Sequence, residues 1–162
     1  NMQGDQLYLT KSSKSASDQY IAEELAAAYM EEVEYVLYLY VTNFANAVNY
    51  GESEYITQYI SPSSDLYREQ EQFVSDMYDQ NIMEELVSYD ILEIKPLDKE
   101  VYEVTVNEEF IIHDMENADE KLMTYQNVYT VERIGEEFLI INLKVSVDDQ
   151  GSGSDSNQTN RL

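Results

Sequence analysis

At 162 residues the chain has the length of one domain with room for a proper core. Its 9 Lys and Arg against 33 Asp and Glu give a formal charge of -24, a field that repels nucleic-acid phosphates and anionic membrane surfaces, so neither is an expected partner. With no cysteine and 1 histidine, His113, the chain cannot form disulfides, thiol nucleophiles, cysteine zinc sites or histidine-rich metal clusters of its own; no metal and no cofactor is expected.

Residues 1–17 are polar, carry Lys11 and Lys14, and read as a linker or lead-in. They lack a basic segment followed by an apolar run, and the most apolar stretch, Tyr35–Val41, is far shorter than the roughly 20 residues of a membrane span. Any anchor is therefore expected outside this sequence. A single domain is expected over 18–147. Its first helix starts at a Ser17 or Asp18 cap, and Leu25, Tyr29, Val33, Leu37, Tyr40, Phe44 and Val48 form one stripe at helical spacing. Asn49-Tyr50-Gly51 is the stop. A short helix with Tyr55, Ile56, Tyr59 and Ile60 follows, and Ser61-Pro62 starts a third that runs to about Asp79 with Leu66, Phe73 and Met77 inward.

After Asn81 the period changes to that of strands. Strands are predicted over 86–95, 101–113, 122–134 and 138–147. In the second, Tyr102, Val104, Val106, Phe110 and Ile112 face one way, with Glu103, Thr105, Asn107, Glu109 and His113 opposite. In the fourth, Leu139, Ile141, Leu143, Val145 and Val147 share a face. Short connections make the strands antiparallel neighbours, and one polar face puts the helices on one side of the sheet. Phe44, Phe73, Val104, Phe110, Ile141 and Leu143 are the predicted core. Residues 148–162 read as a flexible polar tail.

Three helices followed by a meander of long strands is the order of the cone-shaped nuclear-transport-factor-2-like fold, an α+β class with three N-terminal helices packed on a curved four-stranded antiparallel sheet. The stretch FANAVNYGESEYITQYISPSSDLYREQ (Phe44–Gln70) resembles the C-terminal domain of the TcaA/YvbJ family of Gram-positive membrane proteins. TYQNVYTVERIGEEFLIINLK (Thr124–Lys144) resembles that family's final hairpin. The resemblance implies an extracytoplasmic domain, tethered by a membrane span that lies outside this sequence and linked to the cell envelope. It implies a protein partner or wall component, and it supplies no catalytic residues.

Enzymes of the same superfamily place an Asp or His base and tyrosine donors inside the cone. Here His113 falls on the polar face, Asp114 enters a turn, and Asp90 reads as a strand-face carboxylate. The strand acids mostly alternate outward, so no buried acid and no catalytic centre are expected. The pairs Glu31-Glu32, Glu84-Glu85, Glu108-Glu109 and Glu136-Glu137 lack the spacing of a calcium loop and read as solvated charge. Among 15 tyrosines, Tyr40, Tyr59, Tyr67, Tyr125 and Tyr129, with Phe44, are the candidates to line a pocket. Two alternatives to a binding module stand: a small-molecule isomerase or dehydratase using the cone, and a helix-mediated oligomer, a homodimer among its forms, seamed along the first helix at Ile21–Met30.

Overall fold

Between Gly4 and Gly51 the sequence has neither glycine nor proline, and it winds into one helix, α1 (Met2–Tyr50). The structure is a computed structural model that describes residues 2–147, with side chains from residue 15. The helix thus starts well before the predicted cap near Asp18. Serine and lysine cost a helix only about 0.5 kcal/mol or less per residue and do not end it. The predicted tail, 148–162, lies outside the described residues.

The chain divides into two units, Asn1–Glu32 and Val33–Leu162. In the first, Gln19 Nε2 donates to Glu23 Oε1 at 3.3 Å and the Tyr20 hydroxyl to Glu24 Oε1 at 2.9 Å, bonds between successive helical turns. Leu25, predicted to be part of the buried stripe, is 49% exposed, and Tyr29 is half-buried. The stripe becomes core only from Val33, through Leu37, Tyr40, Phe44 and Val48.

The second unit carries the fold. α1 ends at Gly51, whose φ of 69° suits glycine, and an added Cβ there would lie 2.7 Å from Cγ of Tyr78. A short α2 (Glu54–Thr57) buries Ile56. The predicted Ser-Pro start is instead a turn: Ser64 donates through N and Oγ to the Ser61 carbonyl at 3.0 and 2.7 Å, and α3 (Asp65–Asp79) begins after Ser64. Leu66, Gln70, Phe73 and Val74 form the buried face of α3.

Four strands follow: β1 (Ile82–Asp98), β2 (Val101–Asp114), β3 (Asp119–Ile134) and β4 (Glu137–Val147), all antiparallel in the order β1-β2-β3-β4. Three register shifts in β1 leave Val87, Leu92 and Leu97 without an opposite residue, and all three are exposed. A shift in β4 decides which of its residues are core. Thr130 pairs with Asn142 but Val131 with Ile140, so Ile141 is an extra residue and the inward parity reverses there. Phe138 and Ile140 are buried before it, Leu143 and Val145 after it. This corrects the predicted single face: Leu139, Ile141 and Val147 are only half-buried.

α1 packs on the inner face of the sheet and on α3 through aromatic contacts. Phe44 meets Phe73 at 5.9 Å and Phe110 at 5.8 Å between ring centroids, and Tyr40 meets Tyr129 edge-on at 5.6 Å. The outer margin of β4 is closed by the α2–α3 link, where Ile140 N donates to the Tyr59 carbonyl at 2.8 Å and Ser61 N to the Ile140 carbonyl at 2.9 Å.

Candidate functional site

Strand alternation settles the fate of the two acid pairs that lie within strands, while Glu31-Glu32 on α1 and Glu136-Glu137 at the β3–β4 turn are exposed as expected. In β2 the even-numbered residues from Tyr102 to Phe110 are buried, so Glu109 faces out and Glu108 must face in. Glu108 is 0% exposed, as are Asn127 and Tyr129 across the ladder on β3. Glu108 Oε2 accepts one hydrogen bond from Asn127 Nδ2 at 2.9 Å and another from the Tyr129 hydroxyl. The same logic buries Glu84, 4% exposed, while Glu85 is exposed. These two carboxyls overturn the expectation that the strands hold no buried acid. Where the alternation is unbroken and one face of the sheet is core, one of two consecutive strand residues faces inward.

A carboxyl beside a tyrosine hydroxyl is the pairing that proton-transfer chemistry uses. In this arrangement the two groups bond to each other and both are enclosed. Two donors meet Glu108 Oε2 inside the core, as a buried strand acid requires, while Asn127 Oδ1 is buried without a hydrogen-bond partner.

The accessible concavity lies towards one end of the same face. A cleft of about 500 Å³ opens between α3 and the sheet. Phe73, Met77, Ile82, Ile112, Met123 and Tyr125 give it an apolar lining, and Gln72, Asp76, Gln80, Glu84 and Lys121 supply its polar groups. Gln72 Nε2 donates to Asp76 Oδ1 at 2.8 Å along the α3 rim. Glu84 is held by its backbone. Asn49, in the last turn of α1, donates through Nδ2 to the Glu84 carbonyl at 2.8 Å, and its Oδ1 accepts from the Glu84 N–H at 2.7 Å. Asn49 was read only as part of a helix stop, and it is also the clamp between α1 and β1.

Of the six residues predicted to line a pocket, Tyr125 lines this cleft. Tyr40, Phe44 and Tyr129 are fully buried in the aromatic core, and Tyr59 and Tyr67 are half-buried. His113 lies on the outer face between Glu85 at 3.6 Å and Glu120 at 3.7 Å. Asp114 sits at the turn after β2, and Asn117 donates to it through its side-chain amide at 2.7 Å and its N–H at 3.2 Å. The amide bond foremost, then the backbone bond, hold the Asp114 carboxyl below the ordinary carboxylate value. Asp90 is exposed. Among the described residues no group of three His, Cys, Asp or Glu is placed to hold a metal ion, and no helix is long and apolar enough to cross a membrane. Sequence reasoning missed every residue of the cleft lining except Tyr125, and it missed the buried polar residues Glu84, Glu108 and Asn127 and the clamping role of Asn49.

Comparison with known proteins follows this geometry. A family model described as the TcaA protein NTF2-like domain matches residues 29–144, and that match begins close to the point where α1 becomes buried. No curated relative matches the chain. The intermembrane space region of chloroplast protein ARC6 shares 13% identity at a TM-score of 0.60, covering 72% of this chain and 95% of its own. A ketosteroid isomerase-like protein from Erwinia carotovora atroseptica shares 11% identity at a TM-score of 0.59, covering 74% and 95%. At such identities the likeness is one of fold.

Proposed function

Because the chain belongs to the family of TcaA protein NTF2-like domains, we propose that it is the extracytoplasmic module of a membrane-tethered envelope protein and acts by binding, without catalysis. Its partner is an envelope protein or a wall component, received in the cleft between α3 and the sheet. The observation that carries this reading is the closed interior. The Glu108–Tyr129 pair is sealed at 0% exposure, while the accessible cleft holds an apolar lining with polar groups around it. The use of the same fold in an intermembrane space region supports a place beyond a membrane.

Small-molecule catalysis is the second reading. Its support is the Glu108–Tyr129 pair, together with the likeness to an isomerase-like protein. It requires the aromatic core around Tyr40, Phe44 and Phe110 to open for every turnover, which the interlocked rings oppose.

Site-specific photocrosslinking in cells that make the full-length protein tests the binding reading. A crosslinking residue at Gln80, on the cleft, should trap one envelope component, and the same residue at Asp90, on an exposed strand position, should not. Equal trapping from both positions, or from neither, overturns the reading.

A further inference from the structure

We propose that the cleft recognises a cationic apolar peptide segment, seating its apolar side chains on Phe73, Met77 and Met123 and its lysine or arginine heads against Asp76 and Glu84. The proposal rests on the binding-module reading and adds the chemistry of the partner.

The first argument is charge. Two carboxylates and one ammonium, Lys121, line the cleft. The strand register adds more negative charge at that end: Asp114 is the cross-strand partner of the lining residue Ile82, and Asp119 is the partner of Asp114. Asp114 is ionised in the neutral range as an ordinary carboxylate is, and the hydrogen bonds from Asn117 lower its pKa further. At -24 overall, the chain repels an anionic segment before contact and attracts a cationic one.

The second argument is shape and softness. A volume of about 500 Å³ exceeds what a bare cation fills and accommodates a few side chains. Two methionines in the lining adapt to side chains of different outline. The hydrocarbon stem of a lysine or arginine lies on such a surface while its head reaches a carboxylate. The clamp from Asn49 fixes the backbone from which the Glu84 side chain projects.

The chain has no tryptophan, so a single tryptophan in a probe peptide reports binding without background. Three peptides with identical apolar residues are compared against the 162-residue chain: Leu-Lys-Trp-Leu-Lys, its glutamine version and its glutamate version, each with blocked ends. The lysine peptide should bind at low salt and shift the amide resonances of Met77, Ile112 and Met123. The glutamine version should bind about tenfold more weakly, and the glutamate version should not bind measurably. The pair of changes Asp76→Asn and Glu84→Gln should cost the lysine peptide about tenfold and leave the glutamine peptide unaltered. Asp76→Asn alone, at an exposed position, keeps the test valid if Glu84→Gln disturbs folding. Equal binding of all three peptides with shifts in the cleft overturns the cation requirement and spares the binding-module reading. Lysine-peptide binding with shifts scattered over the acidic surface, indifferent to both changes, overturns the site. Absence of binding by every peptide overturns the proposal.

Discussion

Removing the Glu108 carboxyl probes the buried polar cluster most sharply. Glu108→Ala takes the acceptor from two enclosed donors at once, Asn127 Nδ2 and the Tyr129 hydroxyl. Each buried donor left unmatched costs about 1–3 kcal/mol, so the pair costs about 2–6 kcal/mol before any contribution from the void. Tyr129→Phe leaves Glu108 its bond from Asn127 and should cost about 1–3 kcal/mol. Combining them removes the orphaned hydroxyl, so Glu108→Ala with Tyr129→Phe should cost about 1–3 kcal/mol less than the two single losses added. Equilibrium urea unfolding followed by circular dichroism measures all three, with unchanged m-values confirming that the comparison is like for like. Single losses that add to within about 0.5 kcal/mol would refute the claim that this bond is a structural element of the core.

Gly51→Ala should cost more than Gly135→Ala. Both glycines have positive φ, which strains an alanine by about 1–2 kcal/mol, but only at Gly51 does the new Cβ also press on Tyr78, while Gly135 has open space; equal losses in urea unfolding would count against that packing. Asn117→Ala should move the Asp114 carboxyl up towards its ordinary value, read by NMR titration. Because the folded value is depressed, the associated stabilisation is present above the ordinary carboxylate range and lost as the pH falls through the folded value, so variant and parent should converge in acid. With a formal charge of -24, the compact state repels itself, and Tm should rise as salt goes from about 10 to about 300 mM and the Debye length falls from about 30 to about 6 Å; a flat or falling Tm would show the charges already paired or well separated.

The order of elements and the limits of β2 and β4 were legible because period-2 alternation in residues 101–113 is sustained and because Gly51 and Gly135 punctuate the chain, whereas β1 was predicted only over 86–95 and in fact runs from Ile82 through Pro96, which pairs with Tyr102, to Asp98. What was not legible has local physical causes. A single extra residue at Ile141 reverses the inward face of β4, and no residue type announces a bulge of this kind. Solvent exposure of Leu25 depends on what packs beside a helix, which an apolar stripe alone does not reveal. Glu108 was legible in principle, since its parity matches Val106 and Phe110, but acidity was taken as evidence of exposure. Its partners Asn127 and Tyr129 occupy positions of like parity on β3, and finding them required the register of β2 against β3. The cleft depends on how α3 lies over the ends of three strands, and this tertiary relation leaves no pattern in any one segment.

On the proposed function the Glu108–Tyr129 pair builds the core and performs no chemistry. Isomerases and dehydratases that use a carboxyl inside such a fold withdraw a proton next to a carbonyl, and that step exchanges hydrogen for deuterium in heavy water. Deuterium uptake at the α-carbon of a set of small ketones, followed by NMR with the parent chain and with Glu108→Gln, reads this directly. Uptake at the buffer rate with both proteins is the predicted result. Uptake accelerated by the parent and abolished in a folded Glu108→Gln variant would contradict it and make the buried pair an active site.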